Sequence, residues 1–371
     1  MTRVVWFAAP ALLAACSLGK GPGSTTPTSP ALPYAGADIS ALTRIEQAGG
    51  VFRSNGTAGD AVQILHAQGM NTFRLRIFVN PPDTDVVVND LPYTLHMAAR
   101  IKAAGAKFIL DFHYSDTWAD PGHQATPAAW ATLGIDSLEA QVERYTAGVI
   151  AALKAQGTLP DIVQIGNEID GGFLWPLGQI TGTGDTLTQW TQFTDLLKAG
   201  IQGVHDSLGP ADTVRIMLHY SQGGSTGGTQ WFFDHMSAYG VPYDLMGLSY
   251  YPWWHGTLGS LQANLDAAAL RYGKSIIVVE TSYPWRSGGW ESMVVDTFAM
   301  AWPATTLGQS QFVAQVATVL AGVPGKRGQG LLWWYPEAIP VTGLYVYAGG
   351  SLALFDSTGN VLPAAAELHG P

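Results

Sequence analysis

Cysteine is almost missing from this chain. Only Cys16 occurs among 371 residues, so no internal disulfide can form and the folded core must supply stability unaided. Charge is scarce as well: Asp, Glu, Lys and Arg together make up 12%. The formal net charge is -10 and no basic run occurs, which excludes a surface built to neutralise nucleic-acid phosphates. There is no G-x-G-x-x-G between a strand-like and a helix-like segment, and no P-loop, so nothing points to a nucleotide or dinucleotide fold. There is also no H-E-x-x-H and no tight Asp cluster; no metal or cofactor is expected.

What the chain has in quantity is apolar and aromatic. It is 47% hydrophobic, with 44 Gly and 13 Trp, far too apolar for disorder. So many tryptophans exceed what a core usually needs, and carbohydrate sites use flat aromatic faces to stack on sugar rings. A neutral, hydroxyl-rich ligand suits this composition.

The N-terminus predicts export. Arg3 gives a positive start, and Val4 to Ala15 form an apolar stretch of signal-peptide length, too short to span a bilayer. Leu13-Ala14-Ala15-Cys16 resembles a bacterial lipobox, which implies cleavage before Cys16 and lipidation of its thiol. Ser17, which is not Asp, points to an outer membrane if the cell has one. One acyl chain binds marginally, so stable anchoring needs several. Gly19 to Pro33 is rich in Gly, Ser, Thr and Pro and reads as a flexible tether. The expected organisation is a signal peptide over 1–15, a lipidated Cys and linker over 16–33, and one catalytic domain over 34–371. The chain offers no oligomerisation signal, so a monomer is expected.

Beyond the linker, patterning predicts eight strands: Ala35–Ser40, Thr72–Val79, Lys107–His113, Ile162–Glu168, Val214–Tyr220, Leu245–Tyr251, Ser275–Thr281 and Gly330–Pro336. Between most of them it predicts helices: Ala58–Gln68, Tyr93–Ala104, Ser137–Gln156, Thr188–Ser207, Gln230–Tyr239, Ser260–Arg271 and Gln309–Leu320. Trp190, Phe193, Leu196, Leu197, Ile201 and Val204 recur at three- and four-residue steps along one helix face. Gly69, Gly105, Gly157, Gly209, Gly240 and Gly273 are placed as left-handed helix stops. Eight strands alternating with helices mean an α/β fold, a (β/α)8 TIM barrel.

Such barrels carry their sites at the C-terminal ends of the strands. There the predicted strands deliver Asp38, Arg74, Arg76, Asp111, His113, Asn167, Glu168, His219, Tyr250, Glu280 and Trp334. Glu168 and Glu280 each end a β-branched apolar run. Two carboxylates on distant strands are the minimum set for glycoside hydrolysis, one as acid/base and one as nucleophile.

Asp111-Phe112-His113-Tyr114-Ser115-Asp116-Thr117-Trp118-Ala119-Asp120-Pro121, Ile165-Gly166-Asn167-Glu168-Ile169, Gly247-Leu248-Ser249-Tyr250-Tyr251-Pro252 and Val278-Val279-Glu280-Thr281 together resemble the endo-β-1,4-galactanases of glycoside hydrolase family 53, in clan A. Gly36-Ala37-Asp38-Ile39-Ser40, Phe73 to Pro81 and Gly172-Phe173-Leu174-Trp175-Pro176 extend the resemblance over the whole chain past the linker. It implies a retaining, endo-acting enzyme on β-1,4-galactan, with Glu168 as acid/base and Glu280 as nucleophile. It further implies that Asn167 bonds the sugar 2-hydroxyl, that Arg74 keeps Glu280 ionised, and that Tyr250 donates to the same carboxylate. His113 and His219 would line the subsite of the cleaved bond over an aromatic floor at Trp334, with Asp116, Trp118 and Trp175 also binding substrate. Trp118, Trp175, Trp253 and Trp254 each read equally as stacking platforms or loop anchors, and Arg76 as a partner for Asp111. The chain departs from the family at Tyr283 to Glu291, which lacks calcium ligands, and at Trp334-Tyr335-Pro336-Glu337-Ala338, where the acidic residue is shifted. A β-1,4-mannanase, a cellulase, or a non-catalytic surface glycan-binding lipoprotein stand as the alternative readings.

Overall fold

The computed structural model describes residues 1, 31–181, 186–294 and 300–370. Cys16, the expected signal peptide and most of the expected linker lie outside the described residues. The barrel strands are β1 (Tyr34–Asp38), β2 (Thr72–Ile77), β3 (Lys107–Phe112), β4 (Ile162–Ile165), β5 (Arg215–Tyr220), β6 (Leu245–Tyr250), β7 (Ser275–Thr281) and β8 (Gly328–Trp334). They pair in parallel around a closed ring in chain order, β8 returning to β1. This is the single (β/α)8 barrel that the patterning predicts.

The α-helices among the described residues are α1 (Leu42–Gln47), α2 (Ala61–Ala67), α3 (Leu91–Ala103), α4 (Ile135–Ala155), α5 (Leu187–Asp206), α6 (Thr226–Ala238), α7 (Pro252–His255), α8 (Leu258–Tyr272) and α9 (Thr306–Gly322). Local chemistry sets their ends. Asp60, Asp90, Ser225, Thr257 and Thr305 each accept a first-turn backbone N–H, and Thr186 with Gln189 forms a capping box. Gly69, Gly105, Gly157, Gly240 and Gly273 take positive φ as expected. Gly209 does not; its N–H bonds Asp212 instead. The short α1 and α7, and a hairpin pairing Arg53–Ser54 with Thr57–Ala58, are too brief to leave a periodic signal.

The barrel interior changes chemistry with height. Ile109, Ile162, Met217, Leu245, Ile277, Val279 and Leu332 fill it as one apolar cluster. Two residues further along β3, β4 and β5 the strands present Asp111, Gln164 and His219, and β6 presents Ser249 four residues beyond Leu245. Because strand side chains alternate, these polar groups point inward above the apolar layer, all buried. At the ring's seam Gly36 admits close packing: a Cβ there would stand 1.6 Å from the Thr72 carbonyl oxygen.

Candidate active site

The strand mouth holds a cleft of about 960 Å³ lined by Arg74, His113, Trp118, Asn167, Glu168, Tyr251, Glu280 and Trp334, among others. Arg74 organises it. Its Nη1 donates to Glu280 Oε1 at 2.7 Å and to Asp38 Oδ2 at 3.1 Å. Its Nη2 donates to Asp111 Oδ2 and to Asn167 Oδ1, each at 2.7 Å. One guanidinium, carried on β2, thus ties the ends of four other strands to its own, through charge-assisted bonds that are strong when buried. Burial pushes the Asp111 carboxyl up, but Arg74 and His113 hold it below its ordinary value.

Glu280 sits in β7 and receives a second donor at Oε2, the Tyr251 hydroxyl at 3.0 Å. The expected donor, Tyr250, instead gives its hydroxyl proton to the Gly256 carbonyl and stacks on Phe312. The reason is alternation along β6, joined to a slip in its pairing with β7. Leu248 opposes Val278, but Ser249 opposes Glu280, so β7 carries one extra residue. A bulge of this kind re-aims the side chains beyond it, and here it turns Glu280 to the interior directly after Val279. On β6 plain alternation from Leu245 and Ser249 turns Tyr251 inward and Tyr250 outward, so Tyr251 faces the nucleophile position.

Glu168 lies beyond β4, which ends three residues short of its predicted limit. Gly166 turns the chain at φ 81°, where a Cβ would meet Ile169 Cγ2 at 2.5 Å, and Glu168 itself takes φ 47°. A left-handed glutamate is a strained conformation that surrounding bonds must hold. Gln124 Nε2 donates to the Asn167 carbonyl at 2.7 Å, and the Ile169 N–H to the His219 carbonyl at 3.0 Å. Glu168 Oε1 accepts from the Ser249 hydroxyl at 2.6 Å.

The two glutamates are unequally supported. Burial and then the nearby charge of Glu280 push the Glu168 carboxyl well above its ordinary value, with only the Ser249 hydroxyl opposing. Burial raises Glu280 above its ordinary value as well, but Arg74 opposes that rise through both its charge and its hydrogen bond. A single proton shared by the pair therefore resides on Glu168.

The remaining expected residues divide into groups at the cleft and groups behind it. Trp118 and Trp334 line the cleft and meet edge to face at 6.3 Å between centroids. His113 lines it too, its Nε2 3.1 Å from Asp111 Oδ2, while its Nδ1 accepts from the Ala119 N–H at 3.0 Å. Asn167 faces the cleft with its amide committed to the Ala119 carbonyl at 2.8 Å. His219, expected in the subsite, is fully buried behind Asn167, with Nδ1 3.0 Å from Asn167 Oδ1 and Nε2 2.9 Å from Ser249 Oγ. Asp116 is not in the cleft; it braces a loop by accepting from the Asn80 and Ala128 N–H groups. Trp175 packs into the loop after β4, donating to the Gly171 carbonyl at 3.0 Å. Trp253 is buried, whereas Trp254 is 48% exposed and lines the cleft. Arg76 does not pair with Asp111, which Arg74 has taken; its Nη1 lies 3.7 Å from Asp38 and its guanidinium 4.0 Å over the Trp118 ring.

Tyr251, Ser249 and Gln164 are site residues that the sequence reading did not select. Ser249 and Gln164 left a signal, since each is a polar residue inside an apolar strand. Tyr251 left one too: it lies in the stretch Gly247 to Pro252 at the mouth and two residues past Ser249 on the same strand face.

A closed parallel barrel whose mouth opposes two buried, unequally supported glutamates across a tryptophan-lined cleft defines a class: the chain is a glycoside hydrolase. More particularly, residues 34–368 match the model of Glycosyl hydrolase family 53, and the chain belongs to that family. It is 36% identical over 342 residues to arabinogalactan endo-beta-1,4-galactanase A of Aspergillus niger, covering 90% of this chain and 94% of that one. Among solved structures it resembles the family 53 catalytic domain of Ignisphaera aggregans at TM-score 0.82 and 32% identity, covering 94% of this chain and 98% of that one. A structure from a study of two fungal beta-1,4-galactanases gives 0.79 and 33%, covering 91% and 99%.

Proposed function

We propose that this chain is an endo-acting β-1,4-galactanase that cuts β-1,4-galactan, the backbone of type I arabinogalactan, into galacto-oligosaccharides with retention at the anomeric carbon. The observation that carries the reading is the asymmetry of the glutamate pair, with two strong donors on Glu280 and one hydroxyl on Glu168. In the first step Glu280 attacks the anomeric carbon while Glu168 gives its proton to the departing glycosidic oxygen. In the second, Glu168 takes a proton from water, which attacks the same carbon and releases Glu280. Both steps use only carboxyl chemistry, and a retaining geometry needs the carboxyl groups roughly 5–5.5 Å apart. The kinship with galactanases supports the substrate. Trp118 and Trp334 offer the aromatic faces on which sugar rings stack.

Comparing hydrolysis of linear galactan, mannan and cellulose tests the substrate. Cleavage of galactan alone supports the reading; cleavage of mannan or cellulose with galactan untouched overturns it. NMR of the first-formed product tests stereochemistry, with the β-anomer expected.

A further inference from the structure

The Ser249 hydroxyl has one proton and two close neighbours, Glu168 Oε1 at 2.6 Å and His219 Nε2 at 2.9 Å. If it donates to Glu168, it can only accept from His219, which then carries its proton on Nε2. The other side of the ring agrees with this tautomer. Nδ1 accepts from the Glu168 N–H at 3.4 Å and lies 3.1 Å from Gln164 Nε2, whose two protons are also offered to Asp111 Oδ1 at 2.6 Å and the Gly166 carbonyl at 3.1 Å. Asn167 Oδ1, 3.0 Å from Nδ1, already accepts from Arg74 at 2.7 Å, and the amide's orientation is fixed by its bond to the Ala119 carbonyl. The opposite tautomer would place a proton between Nδ1 and Asn167, turn the Ser249 hydroxyl toward His219, and let the Glu168 proton sit on Oε1.

Resting on the galactanase reading, we propose that His219 and Ser249 are positioning residues that confine the acid proton of Glu168 to Oε2. With His219 Nε2–H donating to Ser249, and Ser249 donating to Oε1, Oε1 is an acceptor in both ionisation states of Glu168. Oε2 has no hydrogen-bond partner among the described residues and belongs to a side chain lining the cleft. It gives its proton to the leaving oxygen in the first step and takes one from water in the second, so the relay itself need not reorganise between the two roles. The relay works only if His219 stays neutral. Burial, and then the Arg74 charge, push its imidazole well below its ordinary value. The ionisable groups acting on Glu168 are Glu280, Asp170, Asp120, Tyr251 and Tyr347; those acting on His219 are Arg74, Asp111, His113 and His255. The Ser249→Ala exchange leaves all of these in place.

Nitrogen-15 NMR of histidine-labelled full chain reads the tautomer directly, with the His219 signal identified by its loss in His219→Gln. If that variant does not fold, the signal perturbed by Ser249→Ala serves instead. Protonation at Nε2 with bare Nδ1 is expected; protonation at Nδ1 overturns the proposal. The catalytic consequence is read from kcat/KM of Ser249→Ala on linear galactan and on 2,4-dinitrophenyl β-galactobioside, whose leaving group needs no proton. Losing one donor to the ionised form raises the Glu168 pKa, so the alkaline limb on galactan moves up by about one pH unit. kcat/KM at the wild-type optimum falls about tenfold on galactan and less than about twofold on the aryl substrate. An unmoved limb with equal losses on both substrates means mere packing and overturns the relay. Wild-type protein inert on galactan overturns the parent reading and the relay's catalytic role together, whatever the tautomer.

Discussion

At the scale of single residues the site is a contest over one proton, decided by neighbours. Arg74 and Tyr251 supply Glu280 with donors that stabilise its charge, whereas Glu168 has the Ser249 hydroxyl and a nearby negative charge. Activity needs Glu280 ionised and Glu168 protonated. The alkaline limb of kcat/KM therefore belongs to Glu168 and lies above the ordinary glutamate value, with activity falling as pH rises through it. Neighbouring tyrosines separate chemistry from stability. Tyr251→Phe removes a donor to the nucleophile and should lower kcat about ten- to a hundredfold with little change in melting temperature. Tyr250→Phe, by losing only the bond to the Gly256 carbonyl, should cost about 1 kcal/mol of stability and leave kcat within about twofold. Steady-state kinetics with thermal melts on both variants checks the assignment; equal losses in kcat would contradict it.

At the scale of elements, strand spacing and seam geometry fix where these residues stand. The seam between β1 and β2 tolerates no side chain at Gly36, so Gly36→Ala should destabilise by at least about 3 kcal/mol or prevent folding, as chemical denaturation would show. The turn after β8 buries Glu337. One carboxyl oxygen accepts the Ala41 N–H at 2.9 Å, and the other has no partner among the described residues. Burial, then the charge of Asp38, push this carboxyl up to about 8. The folded state thus keeps a proton that the unfolded chain releases above its ordinary value near 4.5. Stability contributed by that proton is complete at low pH and is lost as pH rises toward about 8. Glu337→Gln abolishes the dependence, so its melting temperature should match wild type near pH 4 and exceed it by at least about 3 °C at pH 8. Strand positions were readable because buried β-branched runs bounded by turns leave a clear pattern. The bulge in β7 was not, since one extra residue changes no local composition; it turns Glu280 inward, whereas Tyr251 as the donor followed from alternation with Ser249 along β6. Asp116 and Trp175 were expected at the substrate from the family resemblance of their stretches, whereas their side chains here brace loops. His219 was placed correctly at the end of its strand, but a sequence cannot say whether an inward-facing histidine meets the cleft or the layer beneath it.

At the scale of the whole molecule, a chain of low charge with a polar layer capping an apolar barrel is suited to a neutral polysaccharide. We further propose that it acts outside the cell, tethered through lipidated Cys16. Radiolabelled palmitate should enter the wild-type protein and not Cys16→Ser, which should also shift from the membrane fraction to the medium; unlabelled, soluble wild type would contradict the tether. The central claim is that Glu168 and Glu280 together cleave galactan. It is tested most directly by reducing-sugar release from linear β-1,4-galactan by the chain lacking residues 1–33, beside Glu168→Gln and Glu280→Gln. The expected result is release by wild type and a loss of at least about a thousandfold in each variant. Wild type that binds galactan without cutting it, or variants that retain activity, would contradict the account.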